Sequence, residues 1–352
     1  MRVKLSVLDL IPVRSGQSTT EALRASRTLL GLADSLGFER YWVAEHHNMP
    51  AVASSVPGVL LPYLAGGTTR IRLGSGGVML PNHTALDVAE QFALLEAMFP
   101  GRVDLGIGRA PGSDPVTSYL LRFGRPDAAE ESFEQDVLLL RELLGLGETP
   151  VGEPVRLSLG GRPFDVRATP RAASPTGLWL LGSSGFSVEL AARLGLPYVF
   201  ANHFGMPGIE GALSRYRATY TPSSDFPEPT SFLPINVVVA ASEAEAQERA
   251  LPQAVQMARL RTGAPLLPQL TIEEAAAYEW TPREEAVRDA IVAGWLIGTP
   301  GDVATRLRAR LGELGLDEAM IVPAAAAYAG EELDAPAGRA ETLRLLAEAV
   351  AG

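Results

Sequence analysis

The chain has 352 residues, 47% of them hydrophobic and 20% charged, a composition that can bury a large core and argues against disorder. Its 30 basic residues against 41 acidic ones give a net charge of −11, a surface that repels phosphate backbones and anionic membranes and argues against nucleic-acid and membrane partners. It has no cysteine, which excludes thiolate nucleophiles, disulfides and Cys-ligated zinc together.

At the start of the chain, Arg2 and Lys4 precede an apolar run, but Asp9 and Pro12 interrupt it and no small-residue cleavage site follows. No stretch approaches the roughly 18 apolar residues of a membrane span, so a soluble, cytoplasmic protein is expected. Strands are predicted at 3–10, 71–79, 103–107, 178–182 and 233–241. Helices are predicted near 19–36, 84–99, 130–145, 185–194, 208–219, 243–260, 302–314 and 339–350. A pattern of helix end, Leu-Gly stop and short apolar strand occurs three times, around Gly37, Gly195 and Gly315, and supplies three more strands ending at Val43, Phe200 and Val322. Glycine suits the left-handed position just past a helix. Strands without polar alternation suit a parallel sheet buried on both faces.

Eight strands alternating with helices predict an α/β fold, a TIM (β/α)8 barrel with insertions at its C-terminal face; an open doubly wound sheet is the alternative that alternation alone leaves standing. Residues 147–177, rich in Gly and Pro, form an excursion before the fifth strand. Residues 261–285, with Pro265, Pro268 and Pro282, read as a weakly structured loop and a candidate lid. Neither looks like a boundary, so residues 1–352 are expected to be one domain.

The four histidines all follow a strand closely: His46 and His47 after the second, His83 after the third and His203 after the sixth. In a barrel these positions share the face that carries active sites. Singly, each is a plain hydrogen-bonded loop residue; together they favour a site. A metal centre completed by Asp9, Glu45 or Asp114 is a rival reading, although adjacent His46 and His47 point in different directions. Gly106-Ile107-Gly108-Arg109-Ala110-Pro111-Gly112 imitates a dinucleotide fingerprint, yet Pro111 and Pro115 read as breaking the helix that should follow. Arg109 is a lone guanidinium at a strand end, suited to a phosphate or to a surface salt bridge. Gly182-Ser183-Ser184-Gly185-Phe186-Ser187 opens a helix directly after a strand, where amides and hydroxyls can hold a phosphate. A plain serine cap needs only one of those serines.

Taken in order, Tyr41-Trp42-Val43-Ala44-Glu45-His46-His47, the run Leu73 to Pro81, Ala89-Glu90-Gln91, the run Phe99 to Arg109, Gly182-Ser183-Ser184 and Ile297-Gly298-Thr299-Pro300 resemble the bacterial luciferase-like flavin-dependent monooxygenase family over nearly the whole chain. The resemblance implies a TIM barrel that binds reduced FMN as co-substrate and uses O2, via a C4a-peroxyflavin, on a small organic substrate. It implies that Arg109, Ser184 and Ser187, with Gly182 and Ser183 beside them, hold the FMN phosphate. By the same resemblance Gly76 and Gly77 lie against the isoalloxazine, often through a non-proline cis peptide, and His46 is the catalytic acid/base. The family's reactive cysteine is replaced by Gly108, and no pocket for a long aldehyde is recognisable, which points to the non-luminescent branch. Without an NAD(P)H fingerprint, the resemblance calls for a separate NAD(P)H:flavin reductase, and it implies a homodimer through helices near 52–66 and 84–99. Alternatives on the same fold are F420-dependent hydride transfer and a non-catalytic flavin-binding protein.

Overall fold

The computed structural model describes residues 3–110, 114–122 and 132–352. Pro111 and Gly112 of the glycine cluster, and the first two residues of the helix predicted at 130–145, lie outside the described residues.

In chain order the elements are β1 (Lys4–Asp9), α1 (Thr19–Leu36), β2 (Arg40–Val43), α2 (Pro57–Leu64), β3 (Arg72–Met79), α3 (Ala85–Met98), β4 (Val103–Gly108), α4 (Pro115–Leu121) and α5 (Phe133–Leu143). A hairpin, β5 (Val155–Leu159) and β6 (Arg162–Val166), precedes β7 (Gly177–Gly182), α6 (Gly185–Leu194), β8 (Tyr198–Phe200) and α7 (Ile209–Thr219). The remainder is β9 (Leu233–Val239), α8 (Glu243–Thr262), α9 (Ile272–Ala276), α10 (Pro282–Val292), β10 (Leu296–Gly298), α11 (Pro300–Leu314), β11 (Glu318–Pro323) and α12 (Ala337–Ala351).

Nine strands form one curled parallel sheet in the order β10-β9-β11-β1-β2-β3-β4-β7-β8. From β1 through β2, β3, β4 and β7 to β8 the neighbours follow chain order, while β1 also pairs with β11, so that Val7 lies between Tyr41 and Ile321, and β9 lies between β11 and β10. A doubly wound sheet would instead reverse its strand order at a switch point. At the open edges, the Tyr198 amide donates to the Thr230 carbonyl at 3.1 Å, and Asn202 Nδ2 to the Pro234 carbonyl at 3.0 Å. The three Leu-Gly stops behave as the sequence pattern predicts: Gly37, Gly195 and Gly315 end α1, α6 and α11 at φ of 79°, 62° and 62°, where a Cβ is disfavoured.

Alternation along each strand divides the core in two. Val7 and Tyr41 face the helices, whereas Leu8 and Trp42 face the inside of the curl with Trp179, Val199, Phe232 and Met320. Trp42 meets Trp179 and Phe232 edge-on at 5.5 and 5.2 Å, contacts that each add about 1 kcal/mol beyond burial. At the N-terminal ends of the strands, Arg40 bridges Asp104 at 2.8 Å and Glu318 at 2.6 Å, and Arg72 joins Asp104 at 2.6 Å. Removing one member of such a buried network costs about 3–5 kcal/mol. This network closes one end of the curl and leaves the C-terminal ends of the strands for a cavity.

Several elements depart from the sequence reading. β10 is a ninth strand too short for its three residues to show periodicity, and the excursion at 147–177 contains the hairpin. Pro115 does not stop a helix but starts one: it occupies the first position of α4, where no amide is needed. Asp114 caps that helix, accepting from Val116 and Thr117 at 3.0 Å each. Residues 261–285 are more ordered than a weakly structured loop, because Thr271 with Glu274 and Thr281 with Glu284 form capping boxes that open α9 and α10.

Candidate functional site

A cavity of about 370 Å³ opens at the C-terminal ends of the strands, and His46, Gly76, Gly77, Arg109, Gly182, Ser183, Ser184 and Ser187 all line it. Leu8, Trp42, Leu181, Val199 and Met320 give it an apolar body. None of residues 261–285 is among its lining.

The glycine pair exposes bare backbone to the cavity because nothing larger fits behind it. A Cβ on Gly76 would sit 2.9 Å from Leu8 Cδ1, and one on Gly77 would sit 2.5 Å from Leu181 Cδ1 and 2.8 Å from the Gly106 carbonyl oxygen. The Gly76–Gly77 peptide is cis, and the register with β4 shifts between Gly76 and Val78. A planar ring can lie flat against such a strand.

The polar arm of the cavity is built where β4 and β7 end. Half-buried Arg109 stacks on Phe186 and has no ion pair among the described residues. Ser184 stands at the N-cap of α6, yet its hydroxyl makes no capping bond, so it is not the plain serine cap that the sequence allows. Ser187, in the first turn of α6, is buried against Gly182, where an added Cβ would lie 2.5 Å from Ser187 Oγ. A cation, hydroxyls and first-turn amides without side-chain caps are a donor set matched to an anion.

The histidines divide into two pairs. His47 and His83 turn away from the cavity and hold the buried Glu45 carboxylate through Nε2, at 2.8 and 2.9 Å; the Met79 amide donates to it at 3.0 Å. Burial works to raise the Glu45 pKa, but these hydrogen bonds outweigh it and hold the group at about 2. Glu45 in turn raises the pKa of His83 against burial. His46 and His203 line the cavity, and burial, reinforced by the charge on His46, pushes His203 down to about 4.

The oxygen ligands weighed for a metal are committed elsewhere. Asp9 accepts from Arg339 and the Ile11 amide, each at 2.8 Å, Asp114 caps α4, and Glu45 serves two histidines. Among the described residues no group of three or more histidines and carboxylates is placed to hold a metal ion. Likewise no helix among them is long and apolar enough to cross a membrane. What the sequence does not show is that Phe186 braces Arg109 and that His203 lines the cavity together with His46. Both positions stand in motifs the sequence marks, the histidines after strands and the serine cluster, but these contacts depend on which strand ends the fold brings together.

A family model for luciferase-like monooxygenases matches residues 3–318. An uncharacterised protein of Bacillus subtilis, YvbT, is 39% identical over 317 residues, 90% of each chain. A luciferase-like monooxygenase of Escherichia coli K12 is 38% identical over 319 residues, 91% of each chain. Among solved structures, apo-MsnO8 is 33% identical with a TM-score of 0.82, covering 99% of this chain and 98% of the other. More distant likenesses show the fold alone. They include the oxygenating constituent of 3,6-diketocamphane monooxygenase in complex with FMN (18% identity, TM-score 0.68, covering 100% and 98%) and an F420-dependent secondary alcohol dehydrogenase (16%, TM-score 0.63, 98% and 99%). The chain belongs to the luciferase-like monooxygenase family.

Proposed function

We propose that the protein is an FMN-dependent monooxygenase acting on a small organic substrate, its sheet forming an eight-stranded barrel with β10 as an addition to β9. The observation that carries this reading is a single cavity that combines a bare glycine backbone, an apolar body and an anion-binding arm. A flavin ring with a phosphate tail has those three demands. Gly76 and Gly77 would support the ring, while Arg109, Ser183, Ser184 and Ser187, with Gly182 giving Ser187 room, would hold the phosphate. When bound, reduced FMN supplies the electrons and the place where oxygen is activated. His46 faces the same space and would take up or return a proton there. The apolar wall of Leu8, Trp42 and Met320 keeps water from the reacting groups.

FMN is favoured over F420 because the relative at 38% identity is named a luciferase-like monooxygenase, whereas the F420-dependent neighbour shares only the fold. Electrons would come from a separate NAD(P)H:flavin reductase, since Gly108, Arg109 and Ala110 of the glycine cluster line this cavity and the sequence carries no other dinucleotide fingerprint. Anaerobic titration with reduced FMN and reduced F420, followed by admission of oxygen, tests the assignment. Tight binding of FMN with an oxygen-dependent transient spectrum is expected; preference for F420 and indifference to oxygen would reverse it.

A homodimer through α2 and α3 fits the same reading, because Val59, Tyr63, Leu94 and Met98 of these helices are 70%, 42%, 42% and 50% exposed and would be covered by a second copy. Val59→Glu should then convert a dimer to a monomer in sedimentation. The candidate lid at 261–285 keeps one supporting feature: Tyr278 and Trp280 pack edge-on at 5.0 Å on an otherwise Glu- and Ala-rich stretch. If it closes over the flavin, Trp280→Ala raises peroxide release per FMN oxidised; unchanged release discards the lid.

A further inference from the structure

His203 has two ring nitrogens in different situations. Nδ1 is buried with no hydrogen-bond partner, while the ring lines the cavity. Nε2 is neither paired with a described residue nor buried without one, so it is the nitrogen that the cavity can reach. The residue is also held firmly. Asn236 Nδ2 donates to its carbonyl at 2.7 Å, Asn202 fastens the same turn to β9, and the Phe204 ring lies 4.2 Å from its own.

A buried N–H without an acceptor is costlier than a buried lone pair without a donor. The proton of the neutral ring therefore belongs on Nε2, facing the cavity. We propose, on the monooxygenase reading above, that His203 is the substrate-orienting residue: a fixed Nε2–H donor, in the same cavity as His46, that holds a carbonyl-type acceptor oxygen of the organic substrate. The low basicity of His203 fits this assignment, since an imidazole that stays neutral donates through one nitrogen and does not compete with His46 for the transferred proton. The substrate class that follows is a compact, mainly apolar molecule that carries one oxygen acceptor, for which cyclohexanone serves as the probe below.

The chain has only 4 histidines, so 15N-histidine NMR of the whole protein at pH 7.5 reads the ring directly, with His203→Phe identifying the signal. The expected result is the neutral Nε2–H form; an Nδ1–H form or an imidazolium overturns the proposal. Cyclohexanone is then titrated against methylenecyclohexane, which replaces the oxygen by CH2. Cyclohexanone should bind about tenfold more weakly to His203→Phe than to the wild type, with partial recovery in His203→Gln and no change for methylenecyclohexane. Equal ketone affinity in His203→Phe overturns the proposal, as does loss of FMN affinity in that variant, because His203 would then serve the cofactor. If the wild type fails to bind FMN, the flavin reading falls, while the NMR measurement and the ketone titration without FMN still decide the role of His203.

Discussion

Arg109 lays its guanidinium over the ring of Phe186, 4.5 Å from the centroid. Phe186 is the second residue of α6, so the stack ties the end of β4 to the helix start that carries Ser184 and Ser187. A cation–π contact of this kind contributes about 0.5–1 kcal/mol and leaves the five N–H donors available. Losing the charge-assisted contact in Arg109→Ala should weaken FMN binding by about 2 kcal/mol, roughly 30-fold. Ser184→Ala should cost less. Riboflavin, which lacks the phosphate, should bind both variants as it binds the wild type; an FMN affinity untouched in both would put the phosphate elsewhere.

The two adjacent histidines should fail differently. His46→Ala is expected to leave FMN affinity and melting temperature close to the wild-type values while lowering turnover on a screened substrate by about 100-fold, as for a general acid/base. His47→Ala removes a partner of buried Glu45 and should destabilise the fold by about 1–3 kcal/mol, seen as a lower melting temperature. Similar melting curves and similar rates for the two variants would remove the distinction.

Much of this was legible in the sequence because the signals are local. Leu-Gly stops, apolar strands and serine and glycine clusters each depend on a few neighbouring residues, and the eight site residues named from such patterns or from the family resemblance line one cavity. What the sequence concealed depends on contacts across the fold. Nothing near Glu45 announces that it gathers His47 and His83 rather than a metal; Pro115, by contrast, is legible, since Asp before Pro is a local helix-start pattern and Asp114 accepts from Val116 and Thr117. β10 is three residues long, too short for a period to register. The aromatic stack of Phe186 under Arg109 joins positions 77 apart in the chain (186 − 109), which no spacing rule reaches.

Acid should destabilise the protein in two steps. Glu45 is held at about 2 in the fold against an ordinary 4.5, so its stabilisation is complete above pH 4.5 and is lost as pH falls toward 2. His203 is pushed to about 4 from 6.5, so between those values the unfolded chain binds the extra proton and stability falls as pH drops. His83 acts oppositely: its raised pKa adds stability below pH 6.5 that fades on the alkaline side. Urea unfolding from pH 7.5 to 4.5 should therefore show decreasing stability, with a shallower decline in His203→Phe. An identical slope in that variant would mean that His203 is protonated as readily in the fold as in the unfolded chain.

Two glycines of the same cavity allow a sharper comparison. An added methyl on Gly77 has nowhere to go: it meets Leu181 Cδ1 at 2.5 Å and the Gly106 carbonyl oxygen at 2.8 Å, and the carbonyl belongs to the neighbouring strand and cannot swing aside. On Gly108, where the resemblance marks the absent cysteine, the nearest atom to a new Cβ is Met79 Sδ at 3.7 Å, an ordinary contact with a flexible side chain. Both residues line the cavity, so both substitutions add one methyl group to its wall. Only Gly77→Ala forces the β3–β4 backbone apart. It should therefore lower stability by about 1–3 kcal/mol, the usual cost of overpacking, and weaken FMN binding with it, because the flat surface under the ring is disturbed. Gly108→Ala should melt like the wild type and bind FMN within a few-fold of it. Calorimetry and FMN fluorescence quenching on the two variants decide the matter: if Gly77→Ala binds FMN as well as Gly108→Ala does, the glycine pair is a packing feature of the sheet and the ring rests on another wall.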